Sequence, residues 1–162
     1  MEVKNFKAYH LKKVEEENNY DIGQFIIEKK RRLSDFTSPK IEIETAFENI
    51  RKNKYPTLLS RLSALFVCPD EENVKTWAYY KYGRQKIEYY VFELSLTGNL
   101  YWVDACHYNE SFIDNTNLDY EKAANLYWTS ESNKHVVKNY EAEGLFTGRA
   151  EVISIVKKMN SR

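Results

Sequence analysis

The chain has 162 residues with 24 basic and 24 acidic side chains, so no net charge draws it to polyanions in general. Apolar residues make up 43% and charged residues 30%, a globular balance that excludes a disordered or collagen-like chain and predicts one domain over 1–162. No apolar run nears the ~20 residues that cross a bilayer, and "MEVKNFKAYH" carries no signal-peptide segment.

In chain order, "NFKAYHL" (5–11) alternates as a strand with Phe6, Ala8 and His10 on one face. The charge run "KKVEEENN" (12–19) reads as a solvated turn or short helix, and "YDIGQFII" (20–27) as a short strand or an irregular segment at Gly23. The basic cluster "EKKRR" (28–32) reads as a wet helix end or loop rather than a binding arm. Ser38 caps and Pro39 opens a helix whose inner face is Ile43, Ala46, Phe47 and Ile50, and Tyr55-Pro56 closes it. "LSALFVC" (62–68) is a short buried strand. Asp70 then caps a helix with Val74, Trp77 and Ala78 inside.

"KIEYYVFELSL" (86–96) and "LYWVDAC" (100–106) read as two strands of a hairpin turning at Gly98-Asn99. "SFIDNTNL" (111–118) is a polar loop, Asp119 caps "YEKAANLYW", and 129–138 is a second loop. Gly148 divides "EGLF" from "AEVISIV" with a bend or hairpin. The order predicts an α+β domain: two small, mostly antiparallel sheets with flanking helices.

The aromatic content, with 13 Tyr, 8 Phe and 3 Trp, is first of all packing material, and Trp102, Tyr127 and Trp128 are read so. Cys68 and Cys106 each sit beside an apolar residue outside any CxxC pair, so reduced thiols and a cytoplasmic location are expected. Two scattered Cys and the scattered His10, His107 and His135 give no pair at ligand spacing, so no metal site is predicted.

One stretch asks for chemistry. "NYEAEGLF" puts Glu141 and Glu143 on one face at the start of the last strand. Either that face is wet, or the two carboxylates act together.

Three stretches, in this order, resemble the ADP-ribosyltransferase superfamily, in its His-Tyr-Glu branch: "AYHL", "SRLSALFVCPDEENVKTWAYY", and "EAEGLF" running into "GRAEVISIV". "TLLSRLSALFVC" with "LYW" and "EGLFTGRAEV" resembles, more narrowly, an uncharacterised bacterial family related to these enzymes. The resemblance implies NAD-dependent transfer of ADP-ribose to an acceptor that is a protein, a nucleic acid, a small molecule or water.

It implies roles as well. Glu143 would stabilise the cationic ribose and Glu141 would orient the acceptor. His10 would hold a ribose hydroxyl, Arg61 the pyrophosphate, and Trp77, Tyr79 or Tyr80 would stack on nicotinamide. His10 and Glu143 are then expected on neighbouring strands, opening into one pocket.

The residues also admit plainer readings: a hydrogen-bonded strand histidine, an ion-paired Arg61, a core Trp77 and a wet glutamate pair. Leu11 and Lys12 stand where the superfamily has a small residue and glycine, and Ser60-Arg61-Leu62-Ser63 where it has a Ser-Thr-Ser triplet. The eroded triplet favours the alternative, a non-catalytic binding module or structural protein with the same fold, whereas the retained His10 with Glu141 and Glu143 favours the enzyme.

Overall fold

The computed structural model of the chain describes residues 1–15, 19–27, 30–83, 85–113, 119–130, 139 and 141–159. Four strands, β1 (Glu2–Lys13), β2 (Leu65–Val67), β3 (Glu88–Asp104) and β4 (Ala142–Met159), form one sheet in the order β1-β3-β4-β2, antiparallel throughout. The helices are α1 (Lys40–Lys54), α2 (Glu71–Tyr82), α3 (Cys106–Ile113) and α4 (Tyr120–Thr129), with one 3-10 turn at Leu33–Asp35. The α+β class with antiparallel strands and flanking helices is what the sequence predicts. Of the runs expected to be irregular, 16–18, 28–29, 114–118 and 131–138 lie outside the described residues, whereas 111–113 belong to α3.

The hairpin at Gly98-Asn99 does not form. The chain runs straight through it as β3, because both edges of this strand are already taken, by β1 on one side and β4 on the other. The two expected sheets are therefore the halves of one sheet. Gly98 lies opposite Gly148 in the β3–β4 register. A Cβ on Gly98 would stand 2.2 Å from the Thr147 carbonyl oxygen, and one on Gly148 would stand 2.4 Å from that of Thr97. Both have positive φ, 152° and 138°, a backbone region open to glycine. The sheet creases where two glycines meet.

Past the crease the sheet curls until its ends touch. Tyr9 and Cys68 exchange two backbone hydrogen bonds, 2.9 and 2.7 Å, joining β1 to the end of β2. Residues 23–26 add a short strip along β4: Gly23 N donates to Val152 O and Ile26 N to Ala150 O, at 2.7 and 2.9 Å. The inner face of the curl holds Ala8, Leu65, Val67, Phe92, Leu94, Leu96, Leu100, Trp102, Phe146 and Val152. The outer face is covered in two places. Val74, Ala78 and Tyr82 of α2 pack over Tyr89 and Val91, while α1, α3 and α4 pack over Val103 and Leu145.

Local signals place these helices. Asp70 accepts from Asn73 N at 2.9 Å and Asp119 from Lys122 N at 3.1 Å, each closing a helix start. The Ser38 hydroxyl, expected to cap α1, bonds the Glu42 carboxylate instead. Ile43, Phe47 and Ile50 are buried on α1 as its periodicity requires. Glu44 and Glu48, on that same side of the helix, are buried with them.

Candidate functional site

The buried glutamate of α1 meets the start of β4 through Arg61. The 55–64 segment carries Arg61 beneath α1 and α4, where it is only 6% exposed. Its Nη1 donates to Glu143 Oε1 at 2.6 Å, and its Nε and Nη2 reach the two oxygens of Glu44 at 3.3 and 3.4 Å. Nη1 also donates to the Tyr127 hydroxyl, which in turn donates to Glu143 Oε1 at 2.6 Å. Tyr108 donates to Glu44 at 2.8 Å and lays its ring 3.9 Å from the guanidinium carbon.

Every polar group of this cluster has a partner, as burial in a weakly polar medium demands. Burial alone would push the Glu44 carboxyl up. Arg61 and Tyr108 outweigh it and hold the group below the usual carboxylate range. Burial likewise disfavours the Arg61 charge, and Glu44, Tyr127 and Glu143 more than offset that. Burial foremost keeps the phenols of Tyr108 and Tyr127 protonated far up the pH scale, so both stay donors. A second ionic group lies beside it on α1, where Glu48 takes Arg51 and the Ser60 hydroxyl.

Glu141, two residues before Glu143, has a different environment. It is partly exposed and accepts from the Tyr80 hydroxyl at 2.6 Å and from Asn109 Nδ2 at 3.1 Å. Tyr80 is 47% exposed, and its hydrogen bond to the carboxylate, helped by burial, pushes its pKa up to about 12. Trp77 donates to Ala142 O at 3.4 Å, so α2 lays an indole and a phenol across the start of β4.

Of the residues singled out in the sequence, Arg61, Trp77, Tyr80, Glu141 and Glu143 thus gather at one end of the sheet, with Tyr79 beside Tyr80 on α2. Glu143 is not on a wet face, and the Arg61 guanidinium is bound to protein carboxylates rather than open to a pyrophosphate. His10 lies apart. It pairs with Phe92 across β1–β3, on the inner face of the curl, whereas Glu143 pairs with Val103 on the outer one.

The shared pocket expected for His10 and Glu143 is therefore not present. The alternation of β1 sends His10 inward with Ala8, and β3 separates its strand from β4. The ring of His10 lies 6.2 Å from that of Phe92 in a stacked arrangement, and Nδ1 donates to Phe66 O at 2.8 Å. This bond crosses the seam between β1 and β2 beside the Tyr9–Cys68 bridge. Burial lowers the imidazole pKa to about 4, so it is neutral at pH 7.

The thiol of Cys68 is buried in the α2 core, where burial pushes its pKa up. Cys106 opens α3 and is half-buried. Cys and His alone give no ligand set along the chain. The fold brings Cys106 and His107 together with Asp104, with donor atoms all within 4.8 Å of one another. His135 lies outside the described residues. An open groove of about 550 Å³ lies elsewhere, between Tyr55, Leu58, Tyr101 and Trp128, and none of the expected site residues lines it.

Sequence reasoning missed Glu44, Tyr108, Asn109 and the polar role of Tyr127. Glu44 had a signal: a glutamate next to Ile43 and three residues before Phe47 falls within the apolar arc of α1, where an acid needs a buried cation.

The fold and site define an α+β domain built on one creased antiparallel sheet, with an ionic cluster sealed under its outer face and an acidic, aromatic rim beside it. The chain belongs to the family described as Protein of unknown function (DUF2441), whose model matches residues 2–158. No curated protein matches it significantly. Among the described residues, no helix is long and apolar enough to cross a membrane.

Proposed function

We propose that this chain is an ADP-ribosyltransferase-like domain of the cytoplasm that takes NAD at the start of β4, with Glu141 as the acid presented to the ligand. The observation that carries the reading is the convergence of Arg61, Trp77, Tyr80, Glu141 and Glu143, drawn from three separate stretches of sequence. The residues take different roles from those the resemblance implied. Glu143 and Arg61 stiffen the floor, while Glu141 is the carboxylate with access to solvent.

Cleavage of the nicotinamide–ribose bond develops positive charge on the ribose, and a fixed carboxylate stabilises it. Tyr80 and Asn109 fix Glu141 from two directions, which limits the reorganisation needed as charge develops. Exposed Tyr79 and Tyr80 with the half-buried Trp77 offer flat surfaces to nicotinamide or adenine. The acceptor is a protein, a nucleic acid, a small molecule or water.

A second reading, a non-catalytic binding module or structural protein, is favoured by His10, which is turned into the apolar interior and engaged by Phe66. Titration calorimetry with NAD and an assay for nicotinamide release separate the two. Binding lost or weakened in Trp77→Ala and Tyr80→Ala, with release lost in Glu141→Gln, supports the enzyme. No NAD binding at millimolar concentration would falsify it.

A further inference from the structure

We propose that Asp104, Cys106 and His107 form a binding site for one zinc-class divalent cation. The inference does not depend on the NAD reading. One carboxylate, one thiol and one imidazole have donor atoms all within 4.8 Å of one another, and each residue is half-buried. A tetrahedral zinc ion with bonds of ~2.0–2.3 Å requires ligand atoms under about 4 Å apart, which small side-chain rotations from this arrangement supply. The set is characteristic of zinc, with a soft thiolate, an imidazole and a carboxylate rather than oxygen alone.

The backbone around the three donors is held before any ion arrives. Asp104 ends β3, its N–H donating to the Ser130 hydroxyl at 2.8 Å. Its carboxylate accepts from Cys106 N at 3.0 Å through Oδ1 and from Asn139 Nδ2 at 2.6 Å through Oδ2. Ala105, between the ligands, is fully buried and donates to Glu141 O at 3.0 Å. Outer contacts of this kind orient ligands and raise metal affinity.

The start of α3 carries the positive end of a helix dipole, which opposes a cation there. A thiolate and a carboxylate among the ligands neutralise the dication and outweigh that term. Three protein ligands leave one tetrahedral position open, the pattern of zinc sites that take a water or substrate. Asn109, three residues along α3 from Cys106, is the residue that holds Glu141, so the three donors lie at the same end of the sheet as the acidic rim.

The test is titration of the metal-free full chain with Co²⁺, followed by displacement with Zn²⁺. One Co²⁺ per chain is expected, with a thiolate-to-cobalt charge-transfer band and the strong visible absorption of a tetrahedral site. Cys106→Ser should abolish the charge-transfer band, while Cys68→Ser keeps it. His107→Ala should weaken Co²⁺ binding at least about tenfold, and Asn139→Ala about 10–100-fold. Absence of the band in folded wild type at excess Co²⁺ overturns the proposal. So does a band that persists in Cys106→Ser or vanishes in Cys68→Ser. Should Cys106→Ser fail to fold by circular dichroism, unchanged affinity in folded His107→Ala overturns it equally.

Discussion

Arg61 Nη1 donates to Glu143 Oε1 at 2.6 Å while its Nε and Nη2 reach Glu44, so one buried guanidinium binds a carboxylate of a strand to a carboxylate of a helix. The link fixes how α1 sits on β4. Without Arg61, two buried carboxylates would lose the guanidinium that bonds them both.

Arg61→Met should therefore destabilise the protein by about 3–5 kcal/mol, the range for breaking a buried pair from one side. Urea unfolding measures it. Arg61→Lys should behave more like Arg61→Met than like wild type, since a single ammonium cannot span both carboxylates as a planar guanidinium does. A lysine variant as stable as wild type would show that the cluster needs only charge.

The two glutamates of "EAEGLF" should separate cleanly. Glu143→Gln removes one charge from the Arg61 cluster and should cost about 1–3 kcal/mol. Glu141→Gln, on the rim, should change stability by less than ~0.5 kcal/mol while, on the proposed function, lowering nicotinamide release. Equal stability losses in the two variants would contradict the difference in burial.

His10 should make stability fall in mild acid. Its pKa drops from 6.5 to about 4 on folding, so the unfolded chain takes the proton first. The contribution is fully present above pH 6.5 and is lost as pH falls towards 4, on the order of 3 kcal/mol. Glu44, held below its ordinary 4.5, loses its own contribution only at lower pH. The urea midpoint of His10→Gln, which keeps a donor for Phe66 O but does not titrate, should vary less between pH 6.5 and 4 than that of wild type.

The crease should tolerate no side chain. Gly98→Ala places a Cβ 2.2 Å from a backbone oxygen, which no rotamer relieves, and should cost more than ~3 kcal/mol or abolish folding. Gly23→Ala is the control. Its φ is also positive, 87°, but no atom lies within 4 Å of the new methyl, so its cost should stay near ~1 kcal/mol. Thermal unfolding of the two variants checks the order.

Tyr80 should ionise late. A phenolate there would face the Glu141 carboxylate it now bonds, and its pKa stands at about 12. In Glu141→Gln it should fall back towards 10, read from the ring carbon shift of labelled tyrosine against pH. An unchanged value would remove Glu141 as the cause.

Much of this protein was legible along the chain because its causes are local. The alternation in 5–11, the arc of Ile43, Phe47 and Ile50, and the caps at Asp70 and Asp119 act over a few residues, and each produced its element. The exception is instructive. Gly98-Asn99 carries a hairpin signal, yet pairing of β3 with both β1 and β4 overrides it. The glycine's freedom then serves a crease, opposite a second glycine fifty residues away.

The site divides in the same way. That Glu141 and Glu143 stand where a strand begins was readable from "EAEGLF", although the strand opens at Ala142 and Glu141 lies in the turn before it. Which of them is buried was not, because that depends on Arg61 and Glu44 arriving from other segments and on the hydrogen-bonded closure around them. The same is true of His10, whose inward face was set by alternation while its partner, the Phe66 carbonyl, was set by the curl of the sheet. Sequence determined the elements, their faces and the residues with chemistry to offer. Only the tertiary structure decided which charges meet, because desolvation and pairing act through space between segments that the chain order does not bring together.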